Sequence, residues 1–265
     1  MSKTAATSTS IATIPPSEIA NFAIFGEEID VNSIRDAMAE NMAGEDVSAF
    51  DLPRIKVPGG GATSFSVPTL DGEQDMKELT GILAFAQPGR SWWEQSMEES
   101  GGGSAPDCSS TDGVTGSKFG DCSGCPHNQF GSARKGSGKD CKETRSLFLL
   151  QPDGALPTVV SVPPTSLKPL KQYLMRLCSA GLPFTGVVTR IALTKAKSAT
   201  GITYSQMTFT MVGRLDGKQR QCISSYAAAL KDSFCKAHAA GVRSGSAYGA
   251  ADEPMPEDNP FNQGA

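Results

Sequence analysis

Histidine and tryptophan are scarce in this chain, two of each in 265 residues, and long apolar runs are missing. With so little imidazole there is no HExxH pair of a zinc protease, and no nucleophile elbow is present. Asp140 and Glu143 stand isolated in the basic middle of the chain, so no carboxylate pair is offered for acid–base work there. The triple glycine Gly59-Gly60-Gly61 is not followed by Gly-Lys-Ser/Thr, which excludes a phosphate loop at that point. No stretch approaches the roughly 18 apolar residues of a membrane span, so no membrane partner is expected. Met1 to Ser10 carries one Lys and no apolar core, which does not read as a secretory signal. The expected compartment is therefore the reducing cytoplasm, where thiols stay free.

Cysteine, by contrast, is concentrated. Four of the seven fall between Cys108 and Cys141, in the order Cys108, Cys122, Cys125, Cys141. Cys122-Ser123-Gly124-Cys125-Pro126 is a knuckle in which glycine lets the backbone turn, so that two thiolates can meet one ion. The surrounding loop is rich in Gly, Ser, Asp and Lys and has no core of its own. Four soft sulfur ligands in such a loop predict one structural zinc ion per chain, whose binding folds the loop. His127 is an alternative fourth ligand, and a four-cysteine iron–sulfur cluster is a second alternative.

Charge is as unevenly distributed as cysteine. Residues 117–220 carry 15 Lys and Arg against 5 Asp and Glu, a net of +10, while the remainder is strongly acidic and the whole chain sums to −4. A basic centre between acidic ends points to a polyanion as partner. Single strands of nucleic acid are held by a basic groove along the phosphates and by aromatic faces on which bases stack. The basic candidates around the cysteines are Lys118, Arg134, Lys135, Lys139, Lys142 and Arg145. Arg190, Lys195, Lys197 and Arg214 lie further along. The aromatic candidates are Trp92, Trp93, Phe119, Phe130 and Tyr204. Adjacent strand residues face opposite sides, so one of Trp92 and Trp93 is expected in the core. Phe119 and Phe130 flank the knuckle and are equally suited to packing on it.

The chain divides by composition into an arm with some helix (1–50), a core (51–220) holding the cysteine loop at 104–145, a helix (221–243) and a disordered acidic tail (244–265). Leu52 to Val57, a glycine turn and Phe65 to Val67 read as a hairpin. Strands are then expected at 79–86, ended by Pro88-Gly89, at 146–151 and at 156–162 across a Pro152-Asp-Gly154 turn. A helix at 166–180 follows, capped by Ser166, with Leu167, Leu170, Leu174, Leu177 and Cys178 on its buried face. Strands at 184–195 and 202–213 and a last helix from about Ser224 to Ala240 complete the order. The fold class expected is mainly β with helices (α+β). Three strands, a helix and two strands is the order of an OB-fold, a five-stranded barrel, here with a zinc-loop insertion between its first two strands.

On these residues the chain resembles the zinc-containing OB-fold single-stranded DNA-binding proteins of tailed phages and mobile elements, over roughly residues 79–215. The best-known phage member uses three cysteines and a histidine, where this chain offers four cysteines. A second similarity lies in Asp252-Glu-Pro-Met-Pro-Glu-Asp-Asn-Pro-Phe261, since bacterial single-stranded DNA-binding proteins end in an acidic tip closing with Pro-Phe that docks replication and repair partners. Asn262 to Ala265 follow the Phe here, unlike in that family. The resemblance implies sequence-tolerant single-stranded DNA binding in phage or plasmid DNA replication and recombination, in the host cytoplasm if phage-encoded, and no enzymatic activity. It also implies recruitment of replication or recombination proteins through Asp252, Glu253, Glu257, Asp258, Pro260 and Phe261. The other classes open to this sequence are a zinc-loop adaptor for a replication partner and a metal-dependent nucleic-acid-processing enzyme.

Overall fold

The computed structural model describes residues 14–20, 22–26, 31–43, 45, 47, 51–95, 106–134, 137–198, 201 and 203–241. Lys135, the Gly101–Gly103 segment and the tail residues Asp252, Glu253, Glu257, Asp258, Pro260 and Phe261 lie outside them. The fold is mixed α+β, dominated by strands, with a main sheet that curls into a half-barrel. Short helices α1 (Pro16–Ala20) and α2 (Val31–Asn41) come first, then β1 (Arg54–Ile55), β2 (Phe65–Thr69) and β3 (Gly72–Met76). The long strand β4 (Glu78–Trp92) leads into β5 (Cys108–Ser110), β6 (Thr115–Gly116) and β7 (Gly120–Asp121). After these come β8 (Lys142–Leu150), β9 (Thr158–Val162), α3 (Pro164–Ser179), β10 (Val187–Lys197), β11 (Thr203–Arg214) and α4 (Gly217–Gly241).

The main sheet runs β1-β9-β8-β4-β10-β11, with β5 added to β4. All its pairs are antiparallel except β1 with β9. The segment Leu147 to Leu150 is continuously apolar because both faces of the sheet are covered there, and a strand covered on both sides loses the alternation of a half-exposed one. Leu147 and Leu149 point to the face packed by Leu170, Tyr173 and Leu177 of α3. Phe148 and Leu150 point to the other, packed by Ile223, Tyr226 and Leu230 of α4 together with Ile19, Phe22 and Ile24. On that second face Phe85 and Phe148 stack with centroids 3.8 Å apart. Tyr226 donates its hydroxyl to Ala155 O, which ties α4 to the turn between β8 and β9. Burying each of these large side chains contributes about 1.5–3 kcal/mol.

Several local expectations change. β4 runs through Pro88-Gly89 instead of ending there. Between Ile82, where β10 leaves it, and Arg90, where β5 joins, it is paired on one side by β8 alone, so a proline without an N–H is tolerated as on an edge strand. The helix at 166–180 begins two residues early, at Pro164, with Pro163 as its cap. Ser166 is fully buried in its first turn and accepts a hydrogen bond from Met207 N at 2.9 Å, so it fastens α3 to β11 and caps nothing. Cys178, expected on the buried face, is exposed, because the inward row is Leu170, Tyr173 and Leu177. The last helix starts at Gly217, well before Ser224. The β2–β3 hairpin was not anticipated, as β3 is exposed and polar along nearly its whole length.

The loop after β1 reaches β11, the last strand of the main sheet. Ser205 Oγ of β11 donates to Ala62 O at 2.7 Å, and Gly61 packs so closely that a Cβ there would lie 2.5 Å from Thr203 Cγ2. Gly61 has φ +83°, a conformation other residues rarely adopt, so this position requires glycine twice over. Among the described residues no helix is long and apolar enough to cross a membrane.

Candidate metal centre and nucleic-acid interface

The cysteine segment forms a module at one end of β4, where β5 and β8 flank Arg90 and Ser91. Its small core is built from single backbone bonds: Cys122 N to Val114 O at 2.8 Å, Asn128 N to Cys125 O at 3.0 Å and Cys141 N to His127 O at 2.8 Å. A 3-10 turn at Pro126–Asn128 follows Cys125, with proline at a first-turn position where its missing N–H costs nothing.

Cys108, Cys122, Cys125 and Cys141 are all free thiols and line one small cavity, shared with Arg90, Trp92, Phe119 and His127. Gly116 keeps that space open: a Cβ there would lie 3.0 Å from Cys108 Sγ and 3.6 Å from Cys122 Sγ. Burial pushes the Cys141 thiol above its ordinary pKa. The Arg90 guanidinium opposes this, and the neighbouring Cys122, Cys125 and Cys108 add to it. The four sulfurs thus share one electrostatic environment. They are not drawn into a finished cage, since among the described residues no three His, Cys, Asp or Glu side chains stand as a metal-ligand group. As a donor set, four soft sulfurs without a disulfide suit a single zinc ion. His127 turns its Nδ1 toward Asp140 Oδ2, 3.5 Å away, and packs its ring 4.2 Å from Trp92.

The aromatic candidates divide. Trp92 is the buried member of the tryptophan pair and offers no free stacking face: its ring meets Phe119 edge-on at 5.3 Å and His127 on another side, and its N–H is taken by Asp140. Trp93, its neighbour, is half-buried. Phe119 is 40% exposed and Phe130 is 82% exposed. Lys118 Nζ stands 5.4 Å from the Trp92 centroid and 5.5 Å from that of Phe119, and lies 3.6 Å from Glu94 Oε2. Lys139 Nζ covers Phe130 at 5.0 Å and donates to Asn128 Oδ1 at 3.1 Å. Lys142 is exposed and donates to Lys139 O, while Arg134 donates to Trp93 O at 3.4 Å. Arg145 is half-buried in β8, paired across to Pro88 and Val162.

The remaining basic candidates are not gathered with these. The register carries β10 past Glu78, the opposite end of β4 from the cysteine module, and exposed Lys195 and Lys197 stand on that extension beside half-buried Tyr204. Arg190 is half-buried, with Nε 3.3 Å from Glu78 Oε2 but out of line for a hydrogen bond. Arg214 is exposed opposite Val187.

Sequence reasoning missed Arg90, Asn128 and Asp140, which join the module to the sheet. Arg90 and Trp92 are two apart and therefore share a side of β4, a signal that the sequence hides because Pro88-Gly89 reads as a strand end. No family model, curated protein or solved structure matches this chain.

Proposed function

We propose that this protein binds single-stranded DNA with little sequence preference and serves phage or plasmid DNA replication or recombination, with a structural zinc ion on Cys108, Cys122, Cys125 and Cys141. The observation that carries the reading is where the module sits: on the connection between the first and second of the strands β4, β8, β9, β10 and β11 of the main sheet, with exposed Phe130, Lys118, Arg134 and Lys142 on its surface. Numbered from β4, those strands lie in the order 3-2-1-4-5. That order is compatible with an OB-like Greek-key barrel opened between its third and fifth strands, which supports the reading. In that fold the connections 1–2 and 4–5 flank the face of strands 2 and 3 that takes oligonucleotides. Here the 4–5 connection follows Lys195 and Lys197. Ser146 of β8 and Ser161 of β9 are register partners, half-buried and exposed respectively, and their small side chains would permit close approach of a strand. Lysines and arginines supply the phosphate term and Phe130 a face for a base.

The deciding experiment is a fluorescence titration with dT oligonucleotides and with matched duplex at two salt concentrations. Trp92 lies under Lys118 and Phe119 and reports on the module. Tighter binding to single strands, weakening as salt rises, supports the reading. Equal affinity for duplex, or no binding, overturns it.

A further inference from the structure

Arg90 stands where the sheet meets the cysteine module, and its guanidinium reaches both halves of the module. Nε donates to Gly113 O at 3.1 Å, in the segment between Cys108 and Cys122. Nη1 donates to Asn128 Oδ1 at 2.6 Å, in the segment between Cys125 and Cys141. Asn128 is buried and passes the contact on, donating its Nδ2 to Cys122 O at 2.6 Å. One side chain of β4 is therefore linked to the loop after the first cysteine, the knuckle of the second and third, and the turn before the fourth. The same guanidinium lines the thiol cavity and acts electrostatically on Cys141.

Four thiolates around a divalent cation leave two negative charges in excess. Such a group in a half-buried site needs a cation or N–H donors beside it. Lysine meets that need poorly where two acceptors must be held at once, whereas the planar fork of arginine holds both and keeps its charge. We propose that Arg90 is a positioning residue of the metal centre: it holds the two halves of the module in register against β4 and offsets the charge of the tetrathiolate, and so governs how firmly the metal is retained. The inference rests on the zinc reading above.

The test is metal release from the full chain. Wild type, Arg90→Lys, Arg90→Gln and Asn128→Ala are loaded with Co2+, their tetrahedral absorption bands recorded, and release to a chromogenic chelator followed in time. Loss of a neighbour that orients a ligand typically lowers metal retention about 10–100-fold. Arg90→Gln should show a loss in that range. Arg90→Lys keeps the charge without the fork, and Asn128→Ala keeps the charge without the link to Cys122, so both should fall between it and wild type. A clamp with no influence on the metal would lower the stability of the variants and leave release at the wild-type rate, which overturns the proposal and spares the zinc reading. Wild-type protein that takes up no Co2+ overturns both. If Arg90→Gln does not fold, release from Arg90→Lys at the wild-type rate is sufficient to overturn it.

Discussion

Trp92 donates its indole N–H to Asp140 Oδ2 at 2.5 Å, across 48 residues of sequence. Trp92 is the last residue of β4 and Asp140 immediately precedes Cys141, so the bond closes the cysteine module at its neck. The Asp140 side chain is mostly buried, at 16% exposure, and a bond to a charged acceptor there contributes about 1.5–3 kcal/mol. Trp92→Phe keeps most of the ring packing and removes the donor. Hydrogen exchange should quicken by the corresponding factor across residues 106–141 and change little in β10 and β11. Uniform quickening in the whole sheet would show that the neck bond supports the main sheet as well.

Freshly purified, reduced protein is expected to carry one zinc per chain. Cys108→Ser should lose it, and His127→Ala should retain it, because His127 Nδ1 is turned to Asp140. Chelation should loosen the module while β8, β10 and β11 keep their exchange protection, since their core is built from Leu147, Ile191 and Phe209 and does not involve the thiols. Metal analysis that finds none, or that finds loss in His127→Ala with Cys108→Ser tolerated, would remove this ligand set.

Phe130 has little to hold it, with 82% of its surface exposed, so its removal should hardly touch stability. If a base stacks on it, Phe130→Ala weakens dT binding by about 1–3 kcal/mol. Lys142→Ala should weaken all sequences alike and reduce the log–log salt slope by about 0.7. Met175→Ala, an exposed apolar residue on α3, serves as the control and should leave affinity unchanged. Equal titration curves for Phe130→Ala and wild type would exclude stacking there.

Asp112 sets a pH limit on the first half of the module. Burial works against its charge, but the N–H groups of Thr115 and Val114 and the Ser110 hydroxyl outweigh it, so its pKa lies below the usual carboxylate value. A depressed folded-state pKa means the stabilisation is fully present above the unfolded value of about 3.9 and is lost as pH falls through the lower, folded one. Amide protection at Val114 and Thr115 should therefore hold from neutral pH to about pH 4 and then fail. Asp112→Asn keeps an acceptor oxygen and removes the titration, so it should flatten this response in an NMR pH series. An unchanged acid response in that variant would assign it to another group.

The tail beyond residue 241 carries acidic residues and closes on Pro260-Phe261 before Asn262 to Ala265. If the protein binds single strands as proposed, Asp252, Glu253, Glu257 and Asp258, tethered to a basic centre, should compete with phosphates at high effective concentration, and salt should screen that competition. Deleting residues 250–265 should raise DNA affinity several-fold at low salt and little at high salt. It should also abolish pull-down of a replication partner. A truncated protein with unchanged affinity and partners would leave the tail as a solubilising flank.

Local periodicity was sufficient for much of this protein. The two-residue alternation of Ile191 and Leu193 or Met207 and Phe209, and the row Leu170, Leu174, Leu177, each lie within a few residues of chain, where side-chain direction follows backbone geometry. What lay beyond reach depended on partners far away in sequence. Pro88 is tolerated because β10 has left β4 before it and β5 has not yet arrived. Cys178 is exposed because the sheet meets α3 on the row of Tyr173, and Ser166 is buried because Met207 needs its oxygen. Trp92 turns inward because Asp140, 48 residues on, takes its N–H, and Arg90 finds Asn128 at 38. Each of these depends on a hydrogen bond or a covered face that exists once the strands have paired, and tertiary packing alone decides which distant group that is.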